Sequence, residues 1–135
     1  MSTSIEAIEG IGPKTGASLR KAGIRTVEKL LETGCTKKGR KQLAESTGIS
    51  EQQLLSCVNM ADLFRIKGVA SQYAELLVAA GVDTVKELRN RNAANLTTKM
   101  AEVNAAKKLV RVSPSSSVVT RWVEQAKSLP PMVSH

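Results

Sequence analysis

Residues 8–16 read IEGIGPKTG. Glycines on both sides of Ile11 leave the backbone bare of side chains, so a bulky anion can come close to the peptide groups. Pro13 suits the first position of a helix, where its fixed φ helps and its missing amide costs nothing. The amides around Gly12 to Lys14 then open that helix, and a helix N-terminus carries partial positive charge. Lys14 adds an ammonium and Thr15 a hydroxyl, both donors to phosphate oxygens. The chemistry expected of Gly10, Ile11, Gly12, Lys14 and Thr15 is therefore phosphate binding. The same glycines also fit a turn that only lets two helices pack closely. Two features speak against a clean site. Glu9 sets a carboxylate beside the turn, and Gly16 weakens the helix slightly where alanine would strengthen it.

The chain contains a second version. Residues 66–88, IKGVASQYAELLVAAGVDTVKEL, align without a gap on residues 8–30, IEGIGPKTGASLRKAGIRTVEKL, at an offset of 58. Eight of the 23 positions are identical, among them Ile8/Ile66, Gly10/Gly68, Gly23/Gly81 and Thr26/Thr84, which marks a duplication. The second set of candidate phosphate contacts is Lys67, Gly68, Val69, Ala70 and Ser71. Here Ala70 replaces the second glycine and adds a methyl group. Lys67, with Arg65 close by, takes the place of Glu9. Each copy has one feature for binding and one against. Farther on, CVNMADL (57–63) matches WVEQAKSL (122–129) if a few residues are inserted, placing Val58 on Val123 and Ala61 on Ala126. The repeats then run over residues 3–63 and 64–129, packed as one globular unit, with a short tail at 130–135 after Pro130 and Pro131 end the last helix.

The elements that must position these residues read as helices throughout. Gly23 and Gly81 follow apolar runs as left-handed helix ends, and Thr26 and Thr84 stand as N-caps for the helices after them. Thr36 caps a helix through Glu45 that Gly48 stops. Ser50, with Gln53 three residues on, opens another. Asn95 or Thr97 is expected to start the corresponding helix of the second repeat, and SPSSSVV the last one. No alternating pattern of useful length argues for a strand. The fold class expected is all-α, with about ten short helices. Phe64, Tyr73 and Trp122 are the only aromatic residues. A core of Leu, Val, Ile and Ala suits packed helices better than a sheet sandwich.

The pattern of Ile5, Ile8, Gly10, Ile11, Gly12 and Gly16, continued by LRKAGIRTVEKLL, resembles the helix-hairpin-helix motif of DNA-repair, recombination and transcription proteins. The two-repeat layout, with GRKQLAESTGIS after the first hairpin and RWVEQAKSL closing the second, resembles a bacterial family of unknown function. The resemblance implies two tandem helix-hairpin-helix repeats of about 60 residues in a bundle like those of SAM and helix-hairpin-helix domains. It also implies sequence-independent contact with the phosphates of duplex DNA, and a monovalent cation on the hairpin carbonyls as the one cofactor. Hairpins of this type serve in protein–protein modules too. A protein partner bound by an adaptor or scaffold is the alternative.

The charge agrees with a polyanionic partner: 20 Lys and Arg against 12 Asp and Glu give a net charge of +8 and a pI near 9.8. Residues 65–135 carry 11 basic and 5 acidic side chains, the more basic half. Two clusters stand out. TKKGRK sets Lys37, Lys38, Arg40 and Lys41 at a helix start, where cations oppose the dipole and so hint at a use beyond local stability. AAKKLVR adds Lys107, Lys108 and Arg111, the first and last at a spacing that shares a helix face. For either cluster a plain solvated face is the favoured reading over a nucleic-acid contact. Catalysis finds little footing. The single histidine is His135, so no histidine-based triad or metal site exists inside the chain. Cys35 and Cys57 lack metal spacing and are expected as free thiols. The acids form no Asp-x-Asp cluster, so no metal site is expected. Tyr73 lacks the surround of a strand-cleaving nucleophile and is expected as an ordinary helix residue, while Trp122 is expected to anchor the last helix in the core. With no signal peptide and no long apolar run, no membrane contact is expected and the location expected is cytoplasmic.

Overall fold

The computed structural model describes residues 3–135. Among these the regular elements are helical, one 3-10 turn and eight α-helices, with a single isolated bridge between Ser4 and Thr26. The chain divides into two compact units, one of residues 1–62 and 132–135 and one of residues 63–131.

The first unit opens with the 3-10 turn η1 (Ile5–Ala7), followed by α1 (Pro13–Lys21), α2 (Val27–Gly34), α3 (Lys37–Thr47) and α4 (Glu51–Leu63), whose last residue belongs to the second unit. Pro13 takes the first helical position of α1. The side chain of Thr26 accepts from the Lys29 amide at 3.0 Å and that of Thr36 from the Gly39 amide at 3.0 Å, capping α2 and α3. Ser50 accepts from Gln53 at 3.1 Å at the start of α4. Gly48, at φ +77°, ends α3 in the left-handed conformation. α3 packs on α1 and α2, and η1 lies against the same two helices. Ile5, Leu19, Leu30, Leu54 and Val58 are fully buried between them. Each such side chain contributes about 1.5–3 kcal/mol. The buried Cys57 thiol is pushed up to about 11 by desolvation, which keeps it uncharged. Both cysteines are free.

The second unit carries α5 (Ser71–Ala79), α6 (Val85–Arg89), α7 (Ala93–Lys107) and α8 (Ser116–Ser128). α8 packs against α6 and α7, and α5 against α7, around Leu76, Leu77, Leu88, Met100 and Trp122. Trp122 is 3% exposed and anchors α8 in this core. Two details differ from the sequence expectation. Asn92, not Asn95 or Thr97, caps α7, accepting from the Asn95 amide at 3.0 Å. α7 also stops at Lys107: Lys108 is left-handed at φ +52°, and Arg111 lies beyond the helix. Lys107 and Arg111 therefore share no helix face. The chain reverses there without a glycine because the Asn104 side chain grips Val110 at both backbone atoms, at 2.9 and 3.0 Å.

At an offset of 58 the two units repeat their backbone bonds as well as their residues. Ile8 N donates to Ile5 O and Ile66 N to Leu63 O; Ile24 N donates to Leu19 O and Val82 N to Leu77 O. The Gly23 and Gly81 φ angles are +89° and +96°.

A tight seam in the first unit lies where α3 starts. A Cβ on Gly39 would fall 2.1 Å from the Thr33 carbonyl oxygen, a backbone atom that cannot swing aside. Gly39→Ala is expected to destabilise the protein by about 1–3 kcal/mol through overpacking, whereas Lys41→Ala, on an exposed residue, should stay within about 0.5 kcal/mol. Urea unfolding of the two variants checks this.

Candidate nucleic-acid interface

The first hairpin is built on two apolar pegs. Ile8 and Ile11 are buried, and the Ile11 amide donates to the Ile8 carbonyl at 3.2 Å. Between them the backbone passes through Gly10 at φ +96°, a conformation that strains any L side chain. Gly12 then sits at φ −83° and ψ −176°, which any residue adopts, as the N-cap of α1. No atom lies within 4 Å of the place its Cβ would take. Gly12 is thus demanded by no local strain or crowding. The first α1 amide bonded back along the chain is that of Gly16, to Gly12 O at 2.8 Å. No side chain caps α1, and its first turn holds no acid.

The second hairpin repeats the plan. Ile66 and Val69 are buried, Val69 N donates to Ile66 O at 3.0 Å, and Gly68 is at φ +95°. Ala70 is the N-cap of α5, again without a side-chain cap and with no acid in the first turn. Ala74 N bonds back to Ala70 O at 2.8 Å. One brace belongs to this hairpin: Gln125 of α8 accepts from the Lys67 amide at 2.9 Å and donates to the Lys67 carbonyl at 3.2 Å.

The contrast with the other helices is informative. Side chains cap α2, α3, α6, α7 and α8, from Thr26, Thr36, Thr84, Asn92 and Ser115. Such a cap contributes about 1 kcal/mol. The two helices that follow the hairpins forgo it, and no side chain accepts from their first-turn amides.

Around α1 the surface is rich in donors. Lys14, Thr15, Ser18, Thr47 and Gln53 line an open depression of about 260 Å³. Ser18 and Thr47 also border a second, of about 460 Å³, with Lys21 and Ser46. Lys14, Ser18 and Lys21 stand at helical positions i, i+4 and i+7, one face of α1. Sequence reasoning missed Ser18 and Lys21, though that spacing was there to be read. Glu9 is exposed. Glu6, which lies under α1, is matched by Arg20: Nη2 to Oε2 is 2.7 Å and Nε to Oε1 is 3.0 Å. Gly16 leaves room for this carboxylate, since a Cβ there would lie 3.3 Å from Glu6 Oε1.

Of the basic cluster at α3, Lys37, Lys38 and Lys41 are exposed, but Arg40 is not. It is 3% exposed and its guanidinium is used internally, donating to Gly34 O at 2.9 Å and to Ser134 O at 2.6 Å. Its expected place among the surface contacts is corrected accordingly. Lys107, Lys108 and Arg111 are exposed. Among the described residues no group of three His, Cys, Asp or Glu side chains could hold a metal ion. For the monovalent cation, the Ile8 and Ile66 carbonyls each accept one amide and keep a second lone pair, which is compatible with weak cation contact. Among the described residues no helix is long and apolar enough to cross a membrane.

A family model described as "Domain of unknown function (DUF4332)" matches residues 9–129. The chain belongs to this family. The DUF4332 match takes in the whole of α1 to α8 and all but the first residue of the first hairpin peptide 8–16. Among curated proteins and among solved structures, none matches the chain.

The Glu6 carboxyl is held down to about 2, first by the Arg20 hydrogen bonds and then by the Ser4 hydroxyl. Its ordinary value is 4.5. A lowered folded-state pKa stabilises above the ordinary value, and that stability is lost as pH falls through the folded value. Glu6→Gln should therefore flatten the loss of stability between about pH 4.5 and 2, and leave its shape near pH 7 unchanged. Thermal melts across that range measure it.

Proposed function

We propose that this chain is a non-catalytic, tandem helix-hairpin-helix protein that holds duplex DNA by its phosphate backbone without reading sequence. The observation that carries the reading is the pair of uncapped helix starts, each directly after a left-handed glycine and next to a lysine. At α1 the turn is Gly10 to Lys14; at α5 it is Lys67 to Ser71. A phosphate oxygen is the acceptor that such amides and ammonium groups suit. Lys14, Ser18 and Lys21 on α1 and the exposed Lys37, Lys38 and Lys41 extend positive and donor groups over the first unit. Lys107, Lys108 and Arg111 do so over the second. These contacts fix a backbone in place and carry no base information.

Gly12 and Ala70 allow a direct test. Both have ordinary extended backbones and are exposed, so Gly12→Glu and Ala70→Glu place a carboxylate at each helix start without straining the turn. Fluorescence anisotropy with duplexes of unrelated sequence should give matching affinities. These should fall on the order of 100-fold between 50 and 200 mM salt if about four phosphates are neutralised. The double variant should bind at least roughly tenfold more weakly at low salt. No duplex binding at low salt, or an unchanged double variant, would overturn the reading and favour a protein-binding adaptor.

A further inference from the structure

Beside the second hairpin, within the second unit, lies an open cleft of about 430 Å³ lined by Lys67, Gly68, Tyr73, Val118, Arg121, Trp122 and Gln125. Its floor is aromatic. The Tyr73 and Trp122 ring centroids are 5.3 Å apart with the planes inclined at 60°. Lys67 and Arg121 are exposed, and both line the cleft.

The indole N–H of Trp122, a residue 3% exposed, lies at this cleft. The direction it faces is fixed by Gly68: a Cβ added there would lie 3.3 Å from Trp122 Nε1. The bare glycine therefore keeps the space beside the indole N–H open to the cleft. Gln125 holds the hairpin in this position through both its amide atoms.

We infer that this cleft takes one unpaired nucleotide of a nucleic-acid strand. The planar base lies against Tyr73 and Val118 and accepts the Trp122 N–H at a carbonyl or ring nitrogen, and the flanking phosphate meets Lys67 and Arg121. Three features select this occupant. The volume far exceeds that of a lone phosphate and suits a nucleotide. The walls combine aromatic and aliphatic surface with the Trp122 indole N–H, the arrangement that stacks a base and reads one acceptor. The rim is cationic, as a phosphodiester requires. The inference rests on the polyanion reading given above but names a different structure, since a base inside a duplex cannot lie flat on the aromatic floor of the cleft without leaving its stack. Tyr73 thus gains a role outside the packing of α5, and Trp122 one beyond that of core anchor.

The chain contains one tryptophan, so its fluorescence reports on this cleft alone. A short single-stranded oligonucleotide and a mononucleotide should each change the Trp122 emission saturably. A blunt duplex of the same sequence, and inorganic phosphate, should leave it nearly unchanged. Val118→Phe, which fills the cleft, and Arg121→Glu, on an exposed residue, should each weaken the single-strand response at least about tenfold while circular dichroism shows the helices intact. An equal response to inorganic phosphate would overturn the inference in favour of a plain anion site. An equal response to the blunt duplex, or an undiminished response in Val118→Phe, would overturn it too, as would no response to any of the probes. The hairpin reading fails separately. If Gly12→Glu with Ala70→Glu leaves duplex affinity unchanged while the single-strand fluorescence response persists, the hairpins are excluded and the cleft stands.

Discussion

The structure depends on one backbone constraint used twice, the left-handed turn at Gly10 and Gly68. Each glycine lies between two buried aliphatic side chains, Ile8 and Ile11 in one case and Ile66 and Val69 in the other. The pegs can both point inward only if the residue between them reverses the chain, and a positive φ does this within three peptide units. The following helix must then start immediately, with its first-turn amides outside the turn. Local bonding is completed at Gly16 and Ala74 and not before. The turn places no side chain over those amides, so no side chain accepts from them in either unit.

A helix N-terminus alone is an ordinary feature, and most in this chain are closed by a hydroxyl or carboxamide. What separates α1 and α5 is that the residue at the cap position, Gly12 or Ala70, has no polar atom to offer. A serine in either place would satisfy a second- or third-position amide at little backbone cost. Stability alone would favour that change, and the proposed phosphate contact would account for the bare cap. The two units nevertheless differ in how the turn is held. The first uses the Glu6 and Arg20 pair between η1 and α1, and the second the Gln125 amide from α8. The sequence differences between the repeats, with Lys67 for Glu9 and Ala70 for Gly12, sit on this shared frame.

Much of this frame was legible in the residues. Thr26, Thr36, Ser50 and Thr84 are caps because a β-hydroxyl beside an apolar run has one favourable use, and Gly23, Gly48 and Gly81 end helices because they alone enter the left-handed region without strain. The start of α7 was not legible to the residue. The run NRNAANLTT offers several capping side chains in succession, and only packing of Leu96 and Met100 selects Asn92. The end of α7 was hidden for another reason, since Lys108 adopts a glycine-like conformation where the Asn104 side chain grips the backbone of Val110, six residues on. Arg40 reads as a surface cation in TKKGRK, yet its second acceptor, Ser134 O, lies 94 residues away in sequence. The cleft likewise joins Gly68 and Tyr73 to Arg121 and Trp122, and only the tertiary fold brings those segments together.

The central claim is that phosphate oxygens contact the backbone at the two hairpin helix starts. The most direct measurement is the amide proton–nitrogen correlation spectrum of the labelled protein titrated with a short duplex at low salt. The account predicts that the largest, saturable shifts fall on the amides of Gly10 to Thr15 and Gly68 to Gln72 and collapse on addition of salt. Shifts that leave both segments unmoved and gather instead on Lys37 to Lys41 or at the end of α7 would contradict it.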